Sequence, residues 1–312
     1  MADRPSWLVR LMGDDAPRNP TSVDDVHILR EIANGDPDSP PPTHDSIAEW
    51  HMAVTIRNGQ NPLTGEVVVP LGPGPHPVVL WLHGGAWCIG NAAGARRVVA
   101  DIAASGCVVV NLDYSLAPEC PFPQAVADVI DAWAWLSTGI ADFGGDIDRV
   151  ALGGTSAGAN LVAAATAAAA GDAGGHVVVP DALPAVRALV LLYGVFDFQM
   201  LNDDTRSNSG YVEHFYNAAY LGDCFLSRQT DPLVSPARSG HLDKFPPTLV
   251  SCGARDDLLA QSLTMIDGLA RAGVQVRGSI APGLDHSFDV FEDNASRQEV
   301  SDTIDWLQEV LA

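Results

Sequence analysis

A chain of 312 residues, 47% hydrophobic and 18% charged, carries enough apolar material for one large core, and its length alone does not demand two domains. Its formal charge of −22, with Lys244 as the one lysine, sets a surface field that repels phosphate backbones and anionic lipid, so neither a nucleic-acid partner nor a membrane surface is expected. No run reaches the roughly 18 to 20 apolar residues that span a bilayer. The opening MADRPSWLVRLMGDD, broken by Arg10, lacks the continuous apolar stretch of a signal peptide, and Cys88, Cys107, Cys120, Cys224 and Cys252 show no CxxC spacing, so a reduced, cytoplasmic protein is expected.

Residues 1–45 are rich in Pro, Asp and Asn and hold one helical candidate, SVDDVHILREIAN, in which Val26, Leu29 and Ile32 nearly share a face and which Gly35 and the prolines after it bound; the segment reads as an appendage. From Trp50 the pattern changes. WHMAVTIRN and GEVVVPLG alternate like paired strands, and HPVVLWLHGG is an apolar run ending in glycines. Helix and strand then alternate: a helix near residues 92–105, strand CVVVNLDYS, a helix from about Pro123 to Thr138, strand RVALGG, a helix over residues 157–170, and strand RALVLLYGVFD. Between Phe196 and about Lys244 the rhythm lapses into polar and aromatic text, too long for an ordinary connection and suited to a lid. PPTLVSCGARDD and VQVRGSIAPGLDH follow as strands around a helix, and SRQEVSDTIDWLQEVLA closes the chain as an amphipathic helix. This order is that of an α/β protein with a mostly parallel sheet covered by helices.

Gly154-Thr155-Ser156-Ala157-Gly158 places G-x-S-x-G between a strand and a helix, the setting of a nucleophile elbow. Such a turn leaves no room beyond glycine at its flanks and holds the serine hydroxyl above the sheet edge. A phosphate loop would need a lysine after the last glycine, where Ala159-Asn160 stand instead. A serine needs a base, and the base an orienting acid, here in the chain order Ser, Asp, His. Of the histidines after Ser156 (His176, His214, His241, His286), His286 alone follows the last strand, in the turn GLDHSFD. Asp256 ends the preceding strand in CGARDDLL and is the expected acid, with its neighbour Asp257 left to cap the following helix. The oxyanion that forms on attack needs aligned donors, and losing one costs about 3 to 4 kcal/mol of barrier. The N–H groups of Gly84 and Gly85 in HGGAW, with that of Ala157, are the candidates. Trp87, Phe198, Tyr211, Phe215, Tyr216 and Phe288 are aromatic candidates for a substrate pocket, with Trp87 and Phe215 preferred. Neither a cofactor nor a metal is expected, since HExxH and close His/Cys clusters are lacking.

HGGAWCIG, DYSLAPECPFP, GGTSAGAN, DPLVSPA, FPPTLVSCGARDDLL and DHSFDVF together resemble the hormone-sensitive-lipase-like, or bacterial family IV, carboxylesterases of the α/β-hydrolase fold, over most of the chain from about residue 75. The resemblance implies a mostly parallel eight-stranded sheet flanked by helices, a catalytic domain over residues 46–312, and a helical cap built from residues 1–45 and an insertion at about 197–244. It also implies a Ser156, Asp256, His286 triad, an oxyanion hole from Gly84, Gly85 and Ala157, and a homodimer. The apparent lid and a mostly aliphatic surround suggest a small to medium uncharged ester as substrate. The family's usual HGGG reads HGGA here, and Ala86 counts against esters of bulky tertiary alcohols. The usual GDSAG reads GTSAG, as in one branch of the family. Amide, formamide or lactone hydrolysis would use the same residues, and a ligand-binding protein without catalysis is the third reading.

Overall fold

The computed structural model describes residues 23–57, 62–203, 217–222 and 225–312. Eight strands form one sheet: β1 (Ile47–Arg57), β2 (Leu63–Pro70), β3 (His76–Leu82), β4 (Val108–Asp113), β5 (Gly145–Thr155), β6 (Val186–Leu192), β7 (Thr248–Gly253) and β8 (Val276–Ala281). They lie in the order β1-β2-β4-β3-β5-β6-β7-β8. β1 and β2, and β2 and β4, pair antiparallel, and every other pairing is parallel. The difference was legible in hydropathy. β1, on the edge, alternates between half-buried and exposed residues, whereas VVLWL of β3 lies at the centre of the sheet and is wholly buried.

Among the described residues six longer helices cover the sheet: α1 (Val23–Ala33), α2 (Ala92–Ala104), α3 (Gln124–Gly139), α4 (Ala157–Ala167), α5 (Leu259–Arg271) and α6 (Asn294–Leu311). Successive strand residues point to opposite faces, and β3 shows the partition. Val78, Leu80 and Leu82 join one core with residues of α1, α3, α4 and α5, while Val79 and Trp81 join a second with residues of α2 and α6. Every residue of α4 is buried, so its alanines are chosen by the narrow space between the sheet and α3 as well as by helix propensity. The helical pattern expected to residue 170 widens into a π turn at Ala168–Asp172, where Gly171 leaves helical geometry. Between β6 and β7 the described chain holds only short helices and turns, among them Phe198–Asp203, residues 217–221 and Phe225–Arg228.

The described part of the N-terminal segment, from residue 23, is packed onto the body. Val26 and Leu29 are buried in the first core. Behind them, the Arg96 guanidinium of α2 donates to Glu66 Oε1 from Nε (2.9 Å) and Nη2 (2.6 Å), and to the carbonyls of Pro37 (3.0 Å) and Ser39 (2.6 Å). Both charged side chains are 6% exposed, so removing one would strand the other in a medium that solvates it poorly. The substitution Glu66→Gln is expected to destabilise the protein by about 3 kcal/mol, read as a lowered urea midpoint at unchanged slope.

Candidate active site

β3, β5, β6, β7 and β8 run parallel, so their C-terminal ends meet along one rim, where α/β sheets bind ligands. Ser156 sits there between β5 and α4 at φ 51°, ψ −116°, a region a side chain enters only under constraint. The constraint is contact. A Cβ on Gly158 would lie 2.3 Å from the Leu82 carbonyl oxygen and 2.5 Å from that of His83, and one on Gly154 would lie 2.7 Å from the Gly158 carbonyl carbon. The Ser156 N–H donates to the Leu192 carbonyl (2.9 Å), fastening the turn to β6.

The three residues expected to act together meet at this point. The Ser156 hydroxyl lies 3.1 Å from His286 Nε2, and His286 Nδ1–H donates to Asp256 Oδ2 at 2.9 Å. The Asp256 carboxylate is fully buried, and its Oδ1 accepts the Leu258 N–H (2.8 Å). One carboxylate therefore orients the imidazole with one oxygen and braces its own loop with the other. Asp257 is exposed, and Leu258, the N-cap of α5, offers no side-chain cap of its own.

Two residues at the imidazole went unnoticed in the sequence. The Tyr193 ring meets His286 edge-on at 4.8 Å, and its hydroxyl donates to Asp289 Oδ1. Burial pushes the Asp289 carboxyl above its usual range and the Tyr193 phenol further above its own. A tyrosine ending a buried strand and an aspartate three residues beyond the histidine signal nothing until the fold joins them.

After β3 the chain takes three successive positive φ values, Gly85 (122°), Ala86 (48°) and Trp87 (61°). Gly85 is required twice over, since a Cβ there would lie 2.0 Å from the Ile89 carbonyl oxygen. The Gly85 carbonyl accepts from Cys88 and Ile89, and His83 Nδ1–H donates to the Gly84 carbonyl at 2.7 Å. Burial depresses His83 to about 4, so it is neutral in the folded protein, stacked on Tyr114 at 4.2 Å. With those carbonyls engaged, the N–H groups of Gly84, Gly85 and Ala157 meet no acceptor among the described residues.

Trp87, expected to line a substrate pocket, is 2% exposed: it stacks on Tyr220 (4.7 Å), leans on Phe198 (5.2 Å), and donates from Nε1 to Asn160 Oδ1 (3.2 Å). A large ring beside a strained loop is used here for packing. Phe198 and Phe288 are buried likewise, while Phe215, Tyr211, Tyr216 and His214 lie outside the described residues. Neither His176 nor His241 joins the site; His176 pairs with Asp231 (3.2 Å), and His241 lies 3.8 Å from Asp172. Among the described residues no cluster of His, Cys, Asp and Glu could hold a metal ion, and no helix is long and apolar enough to cross a membrane.

Residues 79–290 match a family described as the alpha/beta hydrolase fold. The chain belongs to that family. It is 32% identical over 243 residues to Esterase LipQ of Mycobacterium tuberculosis, which covers 76% of this chain and 56% of LipQ. It is 31% identical over 216 residues to Carboxylesterase NlhH of the same species, covering 68% of this chain and 66% of NlhH. The chain thus spans less than two thirds of the length of either relative. The crystal structure of esterase LipW from Mycobacterium marinum superposes with a TM-score of 0.80 at 25% identity, over 99% of both chains. These relatives bear out the resemblance to hormone-sensitive-lipase-like carboxylesterases.

His83 gives the site a pH signature. Its folded pKa of about 4 lies below the ordinary value of 6.5, so the unfolded chain binds the extra proton between those limits. The corresponding stability is fully present above pH 6.5 and is lost as pH falls toward 4, about 3 kcal/mol in all. Urea midpoints are expected to fall less steeply across this window in His83→Asn, whose amide can still donate to the Gly84 carbonyl, than in the parent.

Proposed function

We propose that the protein is a serine carboxylesterase that acts through an acyl-enzyme. The observation that carries this reading is the continuous relay from the Ser156 hydroxyl through His286 to the buried Asp256, at 3.1 and 2.9 Å. Ser156 Oγ attacks the ester carbonyl while His286 Nε2 takes its proton, and Asp256 holds the imidazole in the required tautomer and stabilises the imidazolium. The oxygen that becomes negative is received by the N–H groups of Gly84, Gly85 and Ala157. His286 then returns the proton to the leaving alcohol, and a water activated by the same imidazole releases the acid. No step in this sequence calls for a cofactor.

The substrate in this reading is a small to medium uncharged carboxylic ester. The formal charge of −22 disfavours anionic esters, and Ala86, standing where the family has a third glycine, disfavours esters of bulky tertiary alcohols. The relatives' names, esterase and carboxylesterase, point the same way. We assign residues 1–45 and 197–244 to a cap over the rim, because α1 and the stretch around Tyr220 pack on the loop that carries Gly84 to Trp87. A cytoplasmic location fits Cys88, Cys107, Cys120 and Cys252, none of which forms a disulfide among the described residues. A homodimer, which the resemblance implies, would double the mass read by light scattering.

The test is Ser156→Ala assayed on short-chain p-nitrophenyl esters. Turnover is expected to fall by about 10⁴-fold or more with circular dichroism unchanged, and undiminished turnover would remove the serine from the mechanism. Matched ester, lactone and anilide substrates then rank the bond cleaved; the ester is expected to give the highest kcat/KM, and a preferred anilide or lactone would replace the reading with an amidase or lactonase.

A further inference from the structure

The loop that offers Gly84 and Gly85 is costly to hold. Ala86 and Trp87 are not glycines, yet both sit at positive φ, and each such residue costs on the order of 1 kcal/mol or more. A conformation of this kind persists only where its surroundings over-determine it. Part of what fixes it is local, through the Gly85 carbonyl and His83. The rest comes from α1, more than fifty residues earlier in the chain.

Arg30, in the last turn of α1, donates from Nε to the Cys88 carbonyl (2.7 Å) and from Nη2 to the Ala117 carbonyl (2.7 Å). Ala117 in turn donates its N–H to the Trp87 carbonyl at 2.9 Å, so one guanidinium grips both strands of this contact. The Glu119 carboxylate receives Nη1 and Nη2, both at 2.7 Å, and holds the guanidinium plane in place. At the far end of the loop, Asn34 Oδ1 accepts the Gly90 N–H (2.7 Å). Gly35 and Asn91 exchange two further hydrogen bonds, 3.0 Å from the Gly35 N–H to Asn91 Oδ1 and 2.7 Å from Asn91 Nδ2 to the Gly35 carbonyl. Asn91 is also the N-cap of α2, so its amide joins α1 to the helix that follows the loop. The approach is close: a Cβ on Gly35 would lie 2.4 Å from the Gly94 nitrogen.

We propose that Arg30 and Asn34 are positioning residues for the oxyanion hole, and that α1 is the clamp that keeps the N–H groups of Gly84 and Gly85 aligned. This inference rests on the esterase reading above. The carbonyls that Arg30 and Asn34 leave untouched, those of Gly84 and Gly85, are fixed from within the loop; its exit, from Cys88 to Asn91, is fixed from α1. Releasing the exit lets the positive-φ residues relax, which misaligns the donors and weakens the hold on the tetrahedral state more than on the bound ester. The chemistry then slows at nearly constant KM.

The experiment measures kcat and KM on p-nitrophenyl butyrate, and the affinity of an alkylboronic acid as a tetrahedral mimic, for the parent, Arg30→Met, Asn34→Leu, Asn34→Asp and Ser156→Ala. Concentrations are set by titration with a fluorophosphonate. Arg30→Met and Asn34→Leu are expected to lose about tenfold or more in kcat and in boronate affinity, with KM within about threefold, a part of the roughly 10²-fold to 10³-fold that complete loss of one donor costs. Asn34→Asp keeps an acceptor for the Gly90 N–H and should recover both. A merely structural role would lower the melting temperature and leave kcat and boronate affinity of the titrated sites unchanged, and that result overturns the proposal. Should Arg30→Met fail to fold, the Asn34 pair decides. A parent that never reacts with fluorophosphonate, like Ser156→Ala, overturns the esterase reading and the clamp with it; a reactive parent with unaffected variants overturns the clamp alone.

Discussion

Everything at the rim depends on the close approach of α4 to the end of β3. Gly158 leaves no space for a side chain against the Leu82 and His83 carbonyls. That contact sets two things together: the turn that forces Ser156 to φ 51°, and the departure of the chain from β3 into the loop of Gly84 and Gly85. Ser156 and the loop of Gly84 and Gly85 are therefore held tightly against each other. A hypothetical Cβ on Gly84 would lie 3.3 Å from that of Ser156, which shows how little play the arrangement has. Catalysis by preorganised donors needs this, since a donor that must move to meet the developing charge returns part of its benefit.

Around this body the structure places buried polar side chains whose hydrogen bonds cross between segments distant in sequence. Asn160 accepts from Trp87 Nε1 and donates to the carbonyls of Val195 (2.8 Å) and Val234 (3.0 Å), tying the loop to both ends of the insertion. Gln261 of α5 accepts the N–H groups of Phe196 and Asp197 and donates to the Asp197 carbonyl. Left unpaired, such groups would cost about 1 to 3 kcal/mol each, so their satisfaction disfavours alternative packings of the segment between β6 and β7. The imidazole is braced in the same manner, with Asp256 on one side and the Tyr193 and Asp289 pair on another.

The strands and most of the helices were legible because periodicity and glycine placement are local signals. The sheet interior reads as apolar runs such as VVLWL, and α6 reads as an amphipathic stripe. Ser156, Asp256 and His286 were legible for a different reason: each lies within five residues of the C-terminal end of a parallel strand, so the topology brings them to one rim. What was not legible is long-range and polar. Arg30 in a short, proline-bounded helix carries no mark of the Cys88 carbonyl that it holds 58 positions away, and Tyr193 none of Asp289, 96 positions on. Trp87 was read as a pocket residue because its place beside the glycines is visible in the text; its burial under Tyr220 is not. Nor did the text show that Asp256 would use both carboxylate oxygens, one on His286 and one on its own loop.

The central claim is that a hydroxyl, an imidazole and a carboxylate from three strand ends act with three backbone donors on one carbonyl. A crystal structure of the protein after reaction with a small alkyl phosphonate tests all of it at once. The account predicts phosphorus bonded to Ser156 Oγ, with one phosphoryl oxygen about 2.7 to 3.1 Å from the nitrogens of Gly84, Gly85 and Ala157 and the imidazole of His286 still on Asp256. Phosphorus on any other side chain, or that oxygen turned away from the three nitrogens into solvent, would contradict it.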